Sequence, residues 1–182
     1  NCGAQIFDFN EKCRNAYANA LQLKLDKAAA LLNTEQKANP DNLIAVYLEN
    51  YIDILRIYTA DTYSQYEQLK KNKELRLALL SEGTQSSPYY LFTLAEVNLQ
   101  WAAMEIKFGD YLTAAWGIRK AFKLLEENER KYPDFKPNRK SLGVLYALLG
   151  SVPEKYKWGF AILGLEGDVK KGMGYLKELV KD

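Results

Sequence analysis

Histidine is absent from this chain of 182 residues. That removes the commonest general base near neutral pH, the serine and cysteine triads built on it, and histidine-containing zinc sites. Cysteine is almost absent too, and Cys2 and Cys13 alone cannot build a four-cysteine metal site. No motif asks for a cofactor. No run approaches the ~18 apolar residues that span a bilayer; the uncharged stretch Ser141 to Pro153, unsurpassed in length, is interrupted by glycines and a proline. An excess of one charge is also missing: Lys plus Arg number 25, Asp plus Glu 23, for a net charge of +2. That balance gives no electrostatic case for a nucleic-acid partner. The short basic runs Lys70-Lys71-Asn72-Lys73 and Lys170-Lys171 read as solvated helix faces or helix ends. Together these absences point away from an enzyme.

What remains is helical. With 48% hydrophobic and 26% charged residues, the chain can bury a core as one domain over residues 1–182. The stretch Leu91 to Pro133 reads as two long amphipathic helices joined at Phe108-Gly109-Asp110-Tyr111, with alanines along both arms and a stop at Lys131-Tyr132-Pro133. A looser echo runs from Leu25-Asp26-Lys27-Ala28 to Asn39-Pro40. Recurrent hairpins of this kind are the mark of an α-solenoid, whose units cannot bury their apolar faces alone.

Caps divide the rest. Asp8-Phe9-Asn10-Glu11 and Ser151-Val152-Pro153-Glu154 have capping-box spacing, Asp26, Asp41 and Asp61 are placed as N-caps, and Pro88 suits the first residue of a helix. The helix from Leu43 to Tyr58 is apolar on most of its circumference and should be sandwiched between neighbours, whereas Tyr63 to Ser81 is more polar and should lie outside. In the last helix Val169, Met173, Leu176 and Val180 form a stripe opposite Lys170, Lys171, Lys177, Glu178 and Lys181. The fold class expected is all-α, roughly nine helices in tetratricopeptide-like antiparallel hairpins forming a short right-handed solenoid.

Cys2 and Cys13 leave two readings open: a disulfide tying down the N-terminal tail in an oxidising compartment, or two free thiols. A signal peptide removed ahead of Asn1 would make the chain exported or periplasmic; a cytoplasmic chain is the alternative.

Two blocks resemble a known family. The first is Leu94-Ala95-Glu96, Leu99-Gln100, Ala102, Phe108-Gly109 and Gly117-Ile118-Arg119. The second is Leu142-Gly143 to Leu149, Val152-Pro153, Leu163-Gly164-Leu165-Glu166-Gly167-Asp168 and Gly172-Met173 to Leu176. In order and spacing they resemble the tetratricopeptide-repeat protein 39 family, which includes the yeast inclusion-body-clearance protein. Here Leu165 stands where that family has an aromatic, Val169 where it has arginine and Met173 where it has leucine. The resemblance implies a helical-repeat fold and brings no catalytic residues with it.

Candidate site residues follow from this scaffold. Tyrosine is abundant at thirteen residues. Tyr47, Tyr51 and Tyr58 on the third helix and Tyr89 at the start of the fifth would line a concave groove, giving contact area with a polar tip. Glu96 is a candidate anchor, with Arg119 expected to reach back to it or to Glu105. Glu49 and Asp53, a turn apart, could do acid–base work, although Arg56 is placed to pair with Asp53. The expected function is non-catalytic binding of a protein or peptide. Contact with a lipid surface through residues 142–165, with Tyr146, Trp158 and Phe160, is the alternative.

Overall fold

The computed structural model describes residues 4–180, without the side chain of Tyr156. The fold is all-α. Among the described residues there are ten helices: α1 (Glu11–Leu21), α2 (Leu25–Ala38), α3 (Leu43–Ala60), α4 (Tyr63–Lys70), α5 (Asn72–Ser81), α6 (Pro88–Lys107), α7 (Tyr111–Lys131), α8 (Lys136–Gly150), α9 (Glu154–Ile162) and α10 (Val169–Val180). The expected helix from Tyr63 to Ser81 is broken at Lys71 into α4 and α5. None of the described helices is long and apolar enough to cross a membrane.

Helix starts follow capping chemistry, often a residue or two later than the sequence suggests. Asn10 rather than Asp8 accepts the amide of Cys13 at 3.1 Å. Asn42 rather than Asp41 accepts that of Ile44 at 3.2 Å, and Thr62 rather than Asp61 accepts that of Gln65 at 3.3 Å. Asp61 instead closes α3 in a left-handed conformation, φ 53°. Asp26 lies inside the first turn of α2, where its charge complements the helix dipole. Pro88 opens α6 behind the cap Ser87, as expected. The second capping box does not form: Ser151 donates back to the carbonyl of Ala147, and α9 starts without a side-chain cap.

The α6–α7 hairpin matches its sequence reading. Gly109 takes φ +89° in the turn, and the amide of Asp110 returns to the carbonyl of Glu105 at 2.8 Å. Ala95, Ala102, Ala114 and Ala121 are buried, and the arms approach closely at Gly117, where a Cβ would lie 3.3 Å from the Asn98 carbonyl oxygen and 3.5 Å from Ala102 Cβ. Trp101 is wholly buried, and its Nε1 donates to Oδ1 of Asn50 at 2.7 Å, joining α6 to α3. The apolar α3 is indeed enclosed, packed by α1, α2, α4, α5 and α6. One connected cluster of buried side chains runs from Cys13 to Leu165.

The end of the chain departs from its pattern. α10 packs on α8 through glycines: a Cβ on Gly172 would lie 2.5 Å from the carbonyl oxygen of Gly143 and 2.6 Å from the nitrogen of Ala147. This backbone contact selects the small face of α10. Of the expected stripe, Leu176 is half-buried against Gly143 of α8, whereas Val169 and Met173 are 43% and 41% exposed and Val180 is exposed too. Lys171, expected on the solvated face, donates to the hydroxyl of Tyr146 at 2.8 Å. The intervening α9 has no wholly buried residue among its described side chains.

Candidate functional site

The segment before α1 is stitched to the start of α3. Asp8 and Asn42 exchange hydrogen bonds at 3.0 and 2.9 Å, and Ile6 pairs with the backbone of Asp41 and Leu43. This holds Phe9 against the first helix. From Phe9 a chain of rings crosses the molecule. Phe9 stacks on Tyr89 with centroids 6.2 Å apart and meets Tyr17 at 6.1 Å; Tyr17 in turn meets Tyr51 at 5.4 Å. On the other side Tyr89 contacts Phe135 at 4.8 Å, Phe135 contacts Phe92 at 5.5 Å, and Phe92 contacts Tyr47 at 6.1 Å.

These rings surround a cavity of about 340 Å³, lined by Phe9, Tyr17, Tyr47, Tyr89 and Phe92, with Lys136, Pro137 and Lys140 of α8 and Leu179 of α10. Thus α1, α3, α6, α8 and α10 all contribute. A second, more apolar cavity of about 300 Å³ lies between α6 and α8, with Leu99, Ile106, Val144 and Leu148 among its walls. Lys140 borders both.

Glu96 lies at the junction. It lines the second cavity, and its Oε1 accepts from the Ser141 hydroxyl at 2.6 Å. Burial pushes its carboxyl above the ordinary carboxylate range, while Ser141, Lys140, Gln100 and the Tyr47 phenol act to hold the charge. The Tyr47 phenol is itself pushed well up, by burial first and the Glu96 charge second, so it remains a donor. Behind them, the Asn50 amide donates to Oε1 of Gln100 at 2.8 Å.

The structure brings together some of the expected residues. Tyr47 and Tyr89 line the aromatic cavity, Tyr51 touches its Tyr17 wall, and Glu96 sits beneath it. Tyr58 does not belong: it is 62% exposed, with Lys107 Nζ 5.3 Å above its ring. Arg119 does not reach Glu96 or Glu105. Its Nε donates to the Leu163 carbonyl at 2.7 Å and its guanidinium stacks on Trp116, tethering the end of α9 to α7. Glu105 is taken by Lys73 at 2.6 Å, because the break at Lys71 turns α5 onto α6.

Glu49 and Asp53 are committed elsewhere. Asp53 accepts from Arg76 at 2.6 Å and Asn72 at 2.8 Å, leaving Arg56 to pair with Asp26 at 3.2 Å. Burial raises the Glu49 carboxyl, against the opposing charge of Arg76. Cys13 is a buried free thiol; Cys2, its partner in one of the two readings left open above, lies outside the described residues. Phe9, Tyr17, Phe92 and the two α8 lysines were missed in the sequence. The one local signal was the spacing of Tyr89 and Phe92, which puts them on one helix face.

No family model, no curated protein and no solved structure matches the chain.

Proposed function

We propose that this chain is a tetratricopeptide-like helical scaffold, a short solenoid of hairpins that binds a protein or peptide partner and does no chemistry on it. The observation that carries this is the aromatic cavity. It is built jointly by α1, α3, α6, α8 and α10, as expected of one binding face assembled from successive hairpins. The resemblance of Leu91 to Leu176 to a helical-repeat family supports the same reading. Large, rigid rings with polar tips give contact area at modest entropic cost.

Selection of a random displayed-peptide library against the purified chain tests it. Peptides that bind the wild type and lose binding with Tyr89→Ala, in a variant shown by melting to remain folded, support the proposal. A library that yields no binder dependent on the cavity residues sinks it.

The lipid alternative retains one observation in its favour. Trp158 and Ile162 on α9 are 69% and 76% exposed, and Leu148 on α8 is 63% exposed. Tyr146 and Phe160 do not help, since Tyr146 is buried and Phe160 packs against the core. Flotation with mixed zwitterionic and anionic vesicles decides this reading: protein left wholly in the bottom fraction removes it.

A further inference from the structure

Two apolar features in the second half of the chain are left uncovered by its own fold, and they complement each other. The first is the groove between α6 and α8. Leu99, Ala103 and Ile106 run along α6, and Ser141, Val144 and Leu148 along α8, at steps of three and four residues that keep each row on one helix face. The groove holds the cavity of about 300 Å³, and Ile106, Val144 and Leu148 are 45%, 43% and 63% exposed along it. Its polar groups, Glu96, Lys140 and Ser141, sit together at one end, where the Ser141 hydroxyl and the Lys140 charge already answer the Glu96 carboxylate. Every other residue lining the groove is aliphatic. What fills it is therefore apolar.

The second feature is α9. Trp158 and Ile162 lie four residues apart on one face of it and are 69% and 76% exposed. Its other side is committed: Phe160 and Ala161 border the space over Leu149 and Leu165, and Arg119 holds the Leu163 carbonyl. Leu149 thus borders α9 while Leu148 borders the groove, so α9 lies off the groove of its own chain. The dimensions agree. The helix Glu154–Ile162 rises about 13 Å, and each wall of the groove rises about 10 Å. A cavity of about 150 Å³ takes a benzene ring, so one of about 300 Å³ takes the Trp158 indole.

We infer that the groove between α6 and α8 receives α9 of a second copy of this chain, and that a twofold axis makes the exchange reciprocal, each copy supplying one helix and one groove. Ile106, Val144, Leu148, Trp158 and Ile162 leave roughly 450 Å² of apolar surface open on each copy. Two copies bring about 900 Å², which is the apolar share of a standard interface of about 1,600 Å². A net charge of +2 sets little repulsion between copies. A flat lipid surface would meet Trp158 and Ile162 but not the walls of a recessed groove, and α9 carries Lys155 and Lys157 against Glu154 rather than a basic face. This goes beyond the scaffold reading and does not depend on it.

Sedimentation velocity of the full chain over a wide range of concentration tests the inference. The wild type should pass from the mass of one chain to the mass of two and no further. Trp158→Lys and, separately, Leu148→Glu, both at exposed positions and checked by melting, should weaken the pair at least about a hundredfold, because each defect occurs twice in a symmetric pair. An equimolar mixture of the two variants should associate more tightly than either alone, since one native groove still meets one native α9. A wild type that stays single up to about 1 mM overturns the inference, and flotation of that single chain on vesicles would assign the face to lipid instead. A pair of undiminished strength in Trp158→Lys, a mixture no tighter than either variant, or growth past two copies overturns the reciprocal docking.

Discussion

Lys73 Nζ lies 2.6 Å from Oε1 of Glu105, and the two side chains are 11% and 1% exposed. The pair joins α5 to α6 beneath the surface. The other carboxylate oxygen of Glu105 is buried without a hydrogen-bond partner, so the ammonium carries most of the compensation. Removing one partner leaves a charge stranded out of water. Lys73→Met should therefore cost about 3–5 kcal/mol, whereas Lys73→Met with Glu105→Met should recover most of that loss. Urea denaturation of the single and double variants checks this. A single variant as stable as the wild type would show that water already solvates Glu105.

Glycine positions in α10 divide by what a methyl group would meet. At Gly172 it would collide with the backbone of Gly143 and Ala147, while at Gly174 nothing lies within 4 Å. Gly172→Ala should destabilise the α8–α10 contact by about 1–3 kcal/mol. Gly174→Ala should stabilise by about 0.5–1 kcal/mol through backbone entropy. Thermal melting separates the signs, and hydrogen exchange should place the Gly172 effect on α8 and α10.

Glu35 should make stability depend on acid pH. It is fully buried, which opposes ionisation, but the amides of Asn42, Asn10 and Asn39 and the charge of Lys12 outweigh burial and hold its carboxyl below the ordinary 4.5. Since the folded value lies below the unfolded one, its contribution is complete above about pH 4.5 and is lost as pH falls through the folded value. Glu35→Gln should flatten the decline of unfolding free energy over that acid range. An unchanged pH profile would mean that the three amides do not favour the charged form.

Cys13 should be chemically silent in the folded chain. Burial, with Glu35 and Asp8 nearby, pushes its thiol up to about 12, leaving almost no thiolate at neutral pH. A thiol reagent should label it only after denaturation. Rapid labelling of Cys13 in the native state, located by mass spectrometry, would contradict this environment.

Much of the fold was legible in the sequence because it is set locally. Pro88, Gly109 and Pro133 punctuate the chain through backbone constraints that need no distant partner, and the apolar circumference of α3 could only mean enclosure. Tyr47, Tyr89 and Glu96 were legible as site candidates because abundant tyrosine and a charge on a core helix are unusual in themselves. Tertiary structure alone decided the rest. The partners of Arg119, Asp53 and Glu105 depend on how α5 and α9 are aimed, and several carbonyls and carboxylates were within reach of each cation. The exposed face of α10 was set by a glycine-to-glycine approach that outweighed the hydrophobic stripe, because backbones brought together exclude a rotation that buries larger side chains. The aromatic cavity and its lysines exist only where helices distant in sequence meet; local periodicity showed that Tyr89 and Phe92 share a helix face and carried no trace of the enclosure or of the lysines.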